Sequence, residues 1–404
     1  MTGTTMRLST PYLICLAGLA STLSPAAFAE DASNIVDDGK AYGDLRLRFE
    51  SVEQDNDLKD AEALTLRSRL GYMTGSFSGF SGLIEFEDSR VLGGIDDYND
   101  GLGSNPDYSV IADPETTELD QLYFRYASES LDSKLGRQVI THDNQRFVGH
   151  VGWRQDRQTF DAFRFSGTLA EELMVGYSYI DKRNRIFAEE RDVDSRDHLL
   201  NIGYKTSAGK IIGYSYLLEE DTTTEKSFDT YGIRFEGARP SAKISYHYVL
   251  EYATQNNLEI GNPDFEADYY LLSGGIEYAG VTTILGYEVL GSDNGNFGFS
   301  TPLATLHKFN GWADRFLTTP DEGLVDLSIS VSGKLWKGKW SLAYHDFEAE
   351  KASAEVNDLG NEIDASYDMT FNQHFSAGIK YADYSAGDID MDTRKYWLWV
   401  SASF

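Results

Sequence analysis

From residue 40 to the end, the chain is a succession of short runs in which every second residue is apolar. A β-strand produces this pattern when its two faces meet different environments, because successive side chains point to opposite sides. In the first pair, Leu45, Leu47 and Phe49 oppose Arg46, Arg48 and Glu50, and Leu64, Leu66, Leu70 and Tyr72 oppose Thr65, Arg67 and Arg69. Phe80, Ile84 and Phe86 follow, opposite Glu85 and Glu87, and then Leu122, Phe124 and Tyr126 against Tyr123 and Arg125. Later apolar faces are Leu173, Val175, Tyr177 and Tyr179, then Ile212, Tyr214, Tyr216 and Leu218, then Ile244, Tyr246, Tyr248, Leu250 and Tyr252. The closing run puts Tyr396, Leu398, Val400, Ala402 and Phe404 on one face, so the chain is expected to end on a buried aromatic.

About eighteen such strands can be counted, each with boundaries good to a few residues. Short links near 75–78, 128–132, 167–171, 207–210, 238–241, 279–280, 337–338 and 371–373 alternate with long ones, notably 88–117, 141–158, 183–196, 254–265, 291–322 and 350–361. An even strand count, short turns at one end and long loops at the other are the marks of a bacterial outer-membrane barrel. The terminal aromatic is the usual ending of such barrels, where the last strand closes against the first. The expected fold is therefore an all-β transmembrane antiparallel up-and-down barrel, with short periplasmic turns and long extracellular loops. A soluble sandwich would also alternate, but it explains neither the regular change of link length nor the aromatic strand ends.

Composition fits this reading. No stretch after residue 30 approaches the roughly 20 apolar residues of a membrane helix, whereas a membrane strand needs only ~9–11 with alternate apolar positions. The 25 Tyr, 22 Phe and 37 Gly suit aromatic girdles, strands and turns. A net charge of −30 argues against nucleic acid as a partner. Residues 1–29 read as a cleaved signal peptide, with Arg7 as the positive region, Tyr12 to Leu19 as the apolar stretch and Ala27-Phe28-Ala29 before the cut at Glu30. Met6 is an alternative start. Cys15, the single cysteine, lies in that segment, so residues 30–404 form one barrel domain without disulfides.

In a barrel of this size the second face of each strand lines an aqueous lumen. Parity puts Arg46, Arg48, Arg67, Arg69, Arg125, Arg164, Arg234 and Lys380 on that face, with Asp44, Glu50, Glu85, Glu87 and Asp364. Either the arginines attract an anionic solute, or Arg–Glu pairs neutralise one another and stiffen the wall. Loop 141–158 holds Arg146, Arg154 and Arg157 among His142, Phe147, His150 and Trp153, and is long enough to fold inward as a constriction. Loop 88–117 is the reverse, with Asp96, Asp97, Asp100, Asp107, Asp113 and Glu115 against Arg90. Its carboxylates match no defined cation-site spacing, so a solvated loop is expected and no metal or cofactor is implied.

A hydrolytic barrel would need a nucleophile, a base and an orienting group at one place. The seven histidines are scattered, and His247 is the single one read as lying mid-strand on the lumen face, so catalysis is not expected.

Two blocks add a more specific likeness. The segments Leu135-Gly-Arg-Gln138, Asp143-Asn-Gln-Arg-Phe-Val-Gly149 and Val151 to Phe165 resemble the alginate export family of outer-membrane proteins, and so does Phe299 to Leu317 with Thr319-Pro320 and Gly323-Leu324. The resemblance implies an eighteen-stranded passive conduit with an electropositive lumen and an anionic uronate polymer as substrate. Carried over residue by residue, Arg137, Asn144, Arg146, Trp153, Arg154, Arg164, Asp314 and Arg315 occupy the matching motifs, and the arginines become pore contacts. The long periplasmic plug turn of the alginate exporter has no counterpart here. Two functions follow as expectations: a porin-like channel for anionic solutes such as sugar acids, or an exporter of an alginate-like exopolysaccharide. Expected partners are outer-membrane lipids and lipopolysaccharide, the barrel-assembly machinery that reads Phe404, and the anionic solute or polysaccharide.

Overall fold

The computed structural model describes residues 35–221, 227–241, 243–257 and 265–404. The expected signal peptide lies outside the described residues. The first six strands are β1 (Lys40–Gln54), β2 (Ala61–Met73), β3 (Phe80–Asp97), β4 (Thr116–Ala127), β5 (Leu131–Gln138) and β6 (Thr159–Ala170). The next six are β7 (Leu173–Asn184), β8 (Val193–Lys205), β9 (Lys210–Leu218), β10 (Phe228–Arg239), β11 (Ile244–Asn257) and β12 (Glu266–Tyr278). The last six are β13 (Val281–Leu290), β14 (Leu324–Leu335), β15 (Gly338–Glu348), β16 (Asp358–Thr370), β17 (Phe375–Ser385) and β18 (Thr393–Ser403).

Each strand pairs antiparallel with its sequence neighbours, and β1 also pairs with β18 from Asp44↔Ser403 to Gln54↔Thr393, so the 18-stranded sheet closes. Closure leaves no unpaired sheet edge in lipid, where an orphan peptide group would cost several kcal/mol. The expected outer-membrane barrel is thus the observed one. Tight turns join the strands at one end; at Ala279-Gly280 both residues take positive φ, 52° and 81°, as a two-residue hairpin turn requires. The long loops 98–115, 139–158 and 291–323 all lie at the other end.

Three details differ from expectation. β3 runs on to Asp97, pairing with Glu62, so the acidic loop begins at residue 98 rather than 88. Asp88 and Arg90 do not end the strand, because a hairpin standing beyond the lipid carries charge without penalty. On β9, Ile212, Tyr214, Tyr216 and Leu218 are all buried on the lumen side, while Ile211 faces out. Alternation marks an apolar face but does not say whether lipid or an inward loop covers it. Phe404 is 67% exposed rather than buried. Its ring lies over Gly43, and the two backbones exchange hydrogen bonds of 2.9 and 3.0 Å.

Candidate functional site

The lumen is occupied at its extracellular end by two loops. Loop 139–158 and loop 291–323 meet edge to edge: Val148 and Leu303 form a parallel bridge, and Gly149 N–H donates to the Leu303 carbonyl at 2.8 Å. Thr305 N–H donates to the Gln145 carbonyl at 3.1 Å, and Lys308 Nζ to the Asn144 carbonyl at 2.9 Å. The two sequence blocks that carry the family likeness therefore form one body in space. Apolar lumen residues seat it: Phe147 packs on Tyr214 and Tyr269, with centroids 5.2 and 5.3 Å away, and His142 stacks on Tyr216.

A loop buried in a barrel brings backbone carbonyls that need donors. Arg46 supplies four: its guanidinium donates to Gln155 Oε1 at 3.0 Å and to the carbonyls of Gly152, Trp153 and Arg154 at 3.2, 2.8 and 2.5 Å. Arg48 donates to the Trp153 carbonyl and to Asp113, whose other oxygen accepts Gln155 N–H at 2.8 Å. Asp113 is therefore buried, contrary to the solvated acidic loop expected. The wall arginines Arg46 and Arg48 could not shed water without partners, and the loop provides them.

Most of the other expected pore arginines are also paired. Arg154 donates to both Glu50 oxygens at 3.2 Å and to Asp314 at 2.9 Å. Arg146 meets Glu288 at 2.9 Å and donates to Asn310 at 3.0 Å. Arg67 pairs with Asp44, Arg69 with Glu87, and Arg157 with Glu85 and Asp120. Arg234 holds Glu251 at 2.5 Å and Glu236 at 2.9 Å, and Arg315 meets Asp390 in loop 386–392. Arg137 is not in the lumen. It stands opposite Leu122 on the outward face of β5 and pairs with Asp161 at 2.8 Å. Its parity follows Leu135, which is lipid-facing, so the motif match and the strand face disagree.

Arg125, Lys134 and Arg164 are direct neighbours across β4, β5 and β6, forming a transverse cationic rung on the lumen face below the loops. Asp132 alone offsets it, accepting Arg125 Nε at 2.7 Å; Lys134 lies 4.3 Å over the Tyr123 ring, and Arg164 has no ion pair among the described residues. Arg125, Asp132, Asn201 and Lys210 border a cavity of about 370 Å³ at this periplasmic end. Elsewhere around the lumen, Thr282, Ser328, Ser330, Ser332 and Ser341 are small and hydroxylated, which leaves room and hydrogen-bonding capacity.

Sequence parity missed several inward groups. Arg183, fully buried with Asp197 at 2.7 Å and Glu220 at 2.9 Å, follows a bulge at Ile180–Lys182 that reverses the count. His345 lies mid-strand on β15 facing the lumen, within 2.9 Å of Asp326, so His247 is not alone there. Lys134 could have been found from its spacing to Asp132.

One further cluster locks the loops. Lys380 Nζ lies 3.8 and 4.5 Å from the Trp312 and Trp153 ring centroids and 2.8 Å from His307 Nε2. The lysine donates to Nε2, so neutral His307 donates from Nδ1 to Asp314 at 2.7 Å. Burial pushes His307 down to about 3, against the pull of Asp314 and with that of Lys380. Burial alone would raise the Asp314 carboxyl, but His307, Lys395 and Arg154 outweigh it and hold it well below the carboxylate range. The three titratable members are each held by partners, which suits a fixed constriction.

Comparison with known proteins agrees with this geometry. Acinetobacter baumannii OccAB4 superposes with a TM-score of 0.73 at 13% identity, over 91% of this chain and 98% of that one. Pseudomonas aeruginosa OccK9 (OpdG) gives 0.73 at 12% identity, over 92% and 99%. Pseudomonas aeruginosa OpdK, solved with vanillate, gives 0.71 at 11% identity, over 92% and 99%. At these identities the likeness is one of fold. No curated protein sequence matched significantly. The alginate export family matches residues 41–282, more than half of the chain, and with the closed barrel and inward loops this places the protein in that family of outer-membrane β-barrels, with a porin-like channel architecture.

Proposed function

We propose that the protein is a passive outer-membrane channel that favours anionic solutes, exported to the membrane by way of residues 1–29. The observation that carries this is the rung Arg125–Lys134–Arg164, three adjacent lumen cations offset by the single carboxylate of Asp132. Most other lumen arginines are matched by carboxylates, and Arg46 is spent on loop carbonyls, so they contribute shape more than field, whereas an unmatched rung raises the local concentration of anions. The small hydroxylated residues of β13 to β15 leave a sugar-acid-sized solute room to pass and hydroxyls to meet.

The test is the reversal potential of the reconstituted protein in planar bilayers under a potassium chloride gradient. Wild type is expected to favour chloride, and Arg125→Gln with Lys134→Gln and Arg164→Gln to move the potential toward or past the cation side. Cation preference that the substitutions leave unchanged sinks the anion reading. Membership of the alginate export family supports a second reading, export of an acidic polysaccharide. That reading requires loss of secreted polymer when the gene is deleted, and the porin reading requires loss of small-solute uptake.

A further inference from the structure

Arg185 stands just beyond β7, where loops 98–115, 139–158, 185–192 and 291–323 converge. Its side chain makes no ion pair and no side-chain hydrogen bond among the described residues, unlike Arg46, Arg48, Arg146, Arg154 and Arg183 around it. The nearest carboxylates are engaged elsewhere: Glu220 with Arg183, and Asp192 with Lys182 and the Arg185 backbone N–H. Burial and the charge of Arg183 make its cationic form costly, and the more distant charges of Glu220 and Asp192 offset only part of that cost.

The guanidinium borders two cavities. One, of about 210 Å³, is walled by Phe187, Leu306 and Leu317 and by Arg154, His307 and Asp314, which are bonded to one another. The other, of about 300 Å³, is walled by Phe297, Phe316 and Leu317, with Arg146, which is paired with Glu288, and the hydroxyls of Thr301 and Thr318. Pro302, Leu306, Leu317 and Thr318 belong to both, so Arg185 sits where the two spaces adjoin.

We propose that Arg185 anchors an extracellular entry site for a small carboxylate with an apolar body, one seated against the leucine and phenylalanine walls. The proposal rests on the channel reading above and narrows its solute. A bidentate guanidinium–carboxylate contact fixes one end of such a solute. The leucine and phenylalanine walls reward an apolar body; of the polar lining, Arg146, Arg154, His307 and Asp314 are bonded within the protein, which leaves the several hydroxyls of a uronate chiefly Ser300, Thr301 and Thr318 to meet. The cavities fall at or below the ~300–1,000 Å³ of common ligand sites, which limits the occupant to about one ring.

The test measures block of the chloride current by benzoate, glucuronate and benzyl alcohol added on the extracellular side of the full-length protein in planar bilayers. Benzoate is expected to block at a concentration about tenfold below glucuronate, and benzyl alcohol not to block. Arg185→Gln is expected to weaken benzoate block about tenfold, read as the concentration for half-block relative to the unblocked current of the same variant. Leu317→Trp, which fills the shared wall, is expected to weaken it as well, and the comparison on wild type stands if a variant fails to insert. Equal block by benzoate and glucuronate, or block untouched by Arg185→Gln, overturns this proposal alone. A wild type that carries no current overturns the channel reading and this proposal together.

Discussion

Arg154 of one inward loop donates to Asp314 of the other at 2.9 Å, so a buried ion pair reinforces the backbone bonds that join the two halves of the constriction. Because Arg154 also reaches Glu50 on β1, the fastening extends to the barrel wall. Arg154→Ala removes one partner from each of two buried carboxylates. The expected cost is about 3 kcal/mol, at the low end for a broken buried pair because Arg48 and Lys395 stay within reach. Single-channel recording should show a larger and noisier conductance, and wild-type conductance with an unchanged melting temperature would refute the fastening role.

Asp113→Asn keeps the shape of the side chain and removes the charge that faces Arg48. Loss of that charge-assisted hydrogen bond should cost about 1.5–3 kcal/mol. Thermal unfolding followed by heat-dependent gel migration measures it. A change within about 0.5 kcal/mol, as for an ordinary surface site, would mean that the acidic loop is not docked.

Acid should loosen the loops. His307 is pushed down to about 3 and His142 to about 4, both chiefly by burial, from an ordinary value of 6.5. Between those values and 6.5 the undocked state binds more protons, so stability of the docked state falls as pH drops through that window. Asp314, held low in the docked state, contributes stability above the ordinary carboxylate value of 3.8 and loses it only at more acidic pH, so it adds nothing to the change above about pH 4. The combined effect is on the order of a few kcal/mol between pH 7 and pH 4. Fluorescence of Trp153 and Trp312, together with current noise, should change over that range in wild type and less in His307→Gln.

A methyl group on Gly43 would lie 2.4 Å from the Phe404 ring, so Gly43→Ala must displace the terminal aromatic. Slower appearance of the folded, heat-modifiable form is expected during refolding into detergent or lipid. Gly213→Ala, where a Cβ meets nothing within 4 Å, is the control. Equal rates for both variants would argue that the Phe404 contact is incidental to assembly.

Much of the barrel was legible because lipid imposes a period of two on every strand that crosses it. Leu45 through Phe49 and Tyr396 through Val400 could be assigned to faces on that basis, and the alternating link lengths gave the barrel its direction. The same rule failed where something other than lipid covered an apolar face, as at Tyr214 and Tyr216, and where a bulge shifted parity before Arg183. It also could not pair charges distant in sequence. Arg48 and Asp113 are sixty-five positions apart, and nothing local to either residue announces the contact. The inward loops were readable as candidates from their arginines and aromatics, but which arginines stay unmatched depends on contacts that only the folded chain brings together. Arg185 is of that kind.

Arg46, Arg48 and Glu50, the wall groups that hold loop 139–158, all sit on β1, and β1 zips to β18 along Trp397 and Lys395, which meet the same loop cluster. The seam that joins the first strand to the last is thus also the latch of the constriction. A barrel caught with that seam open would be an unlatched hole as well as an unfinished sheet, and completing one corrects the other.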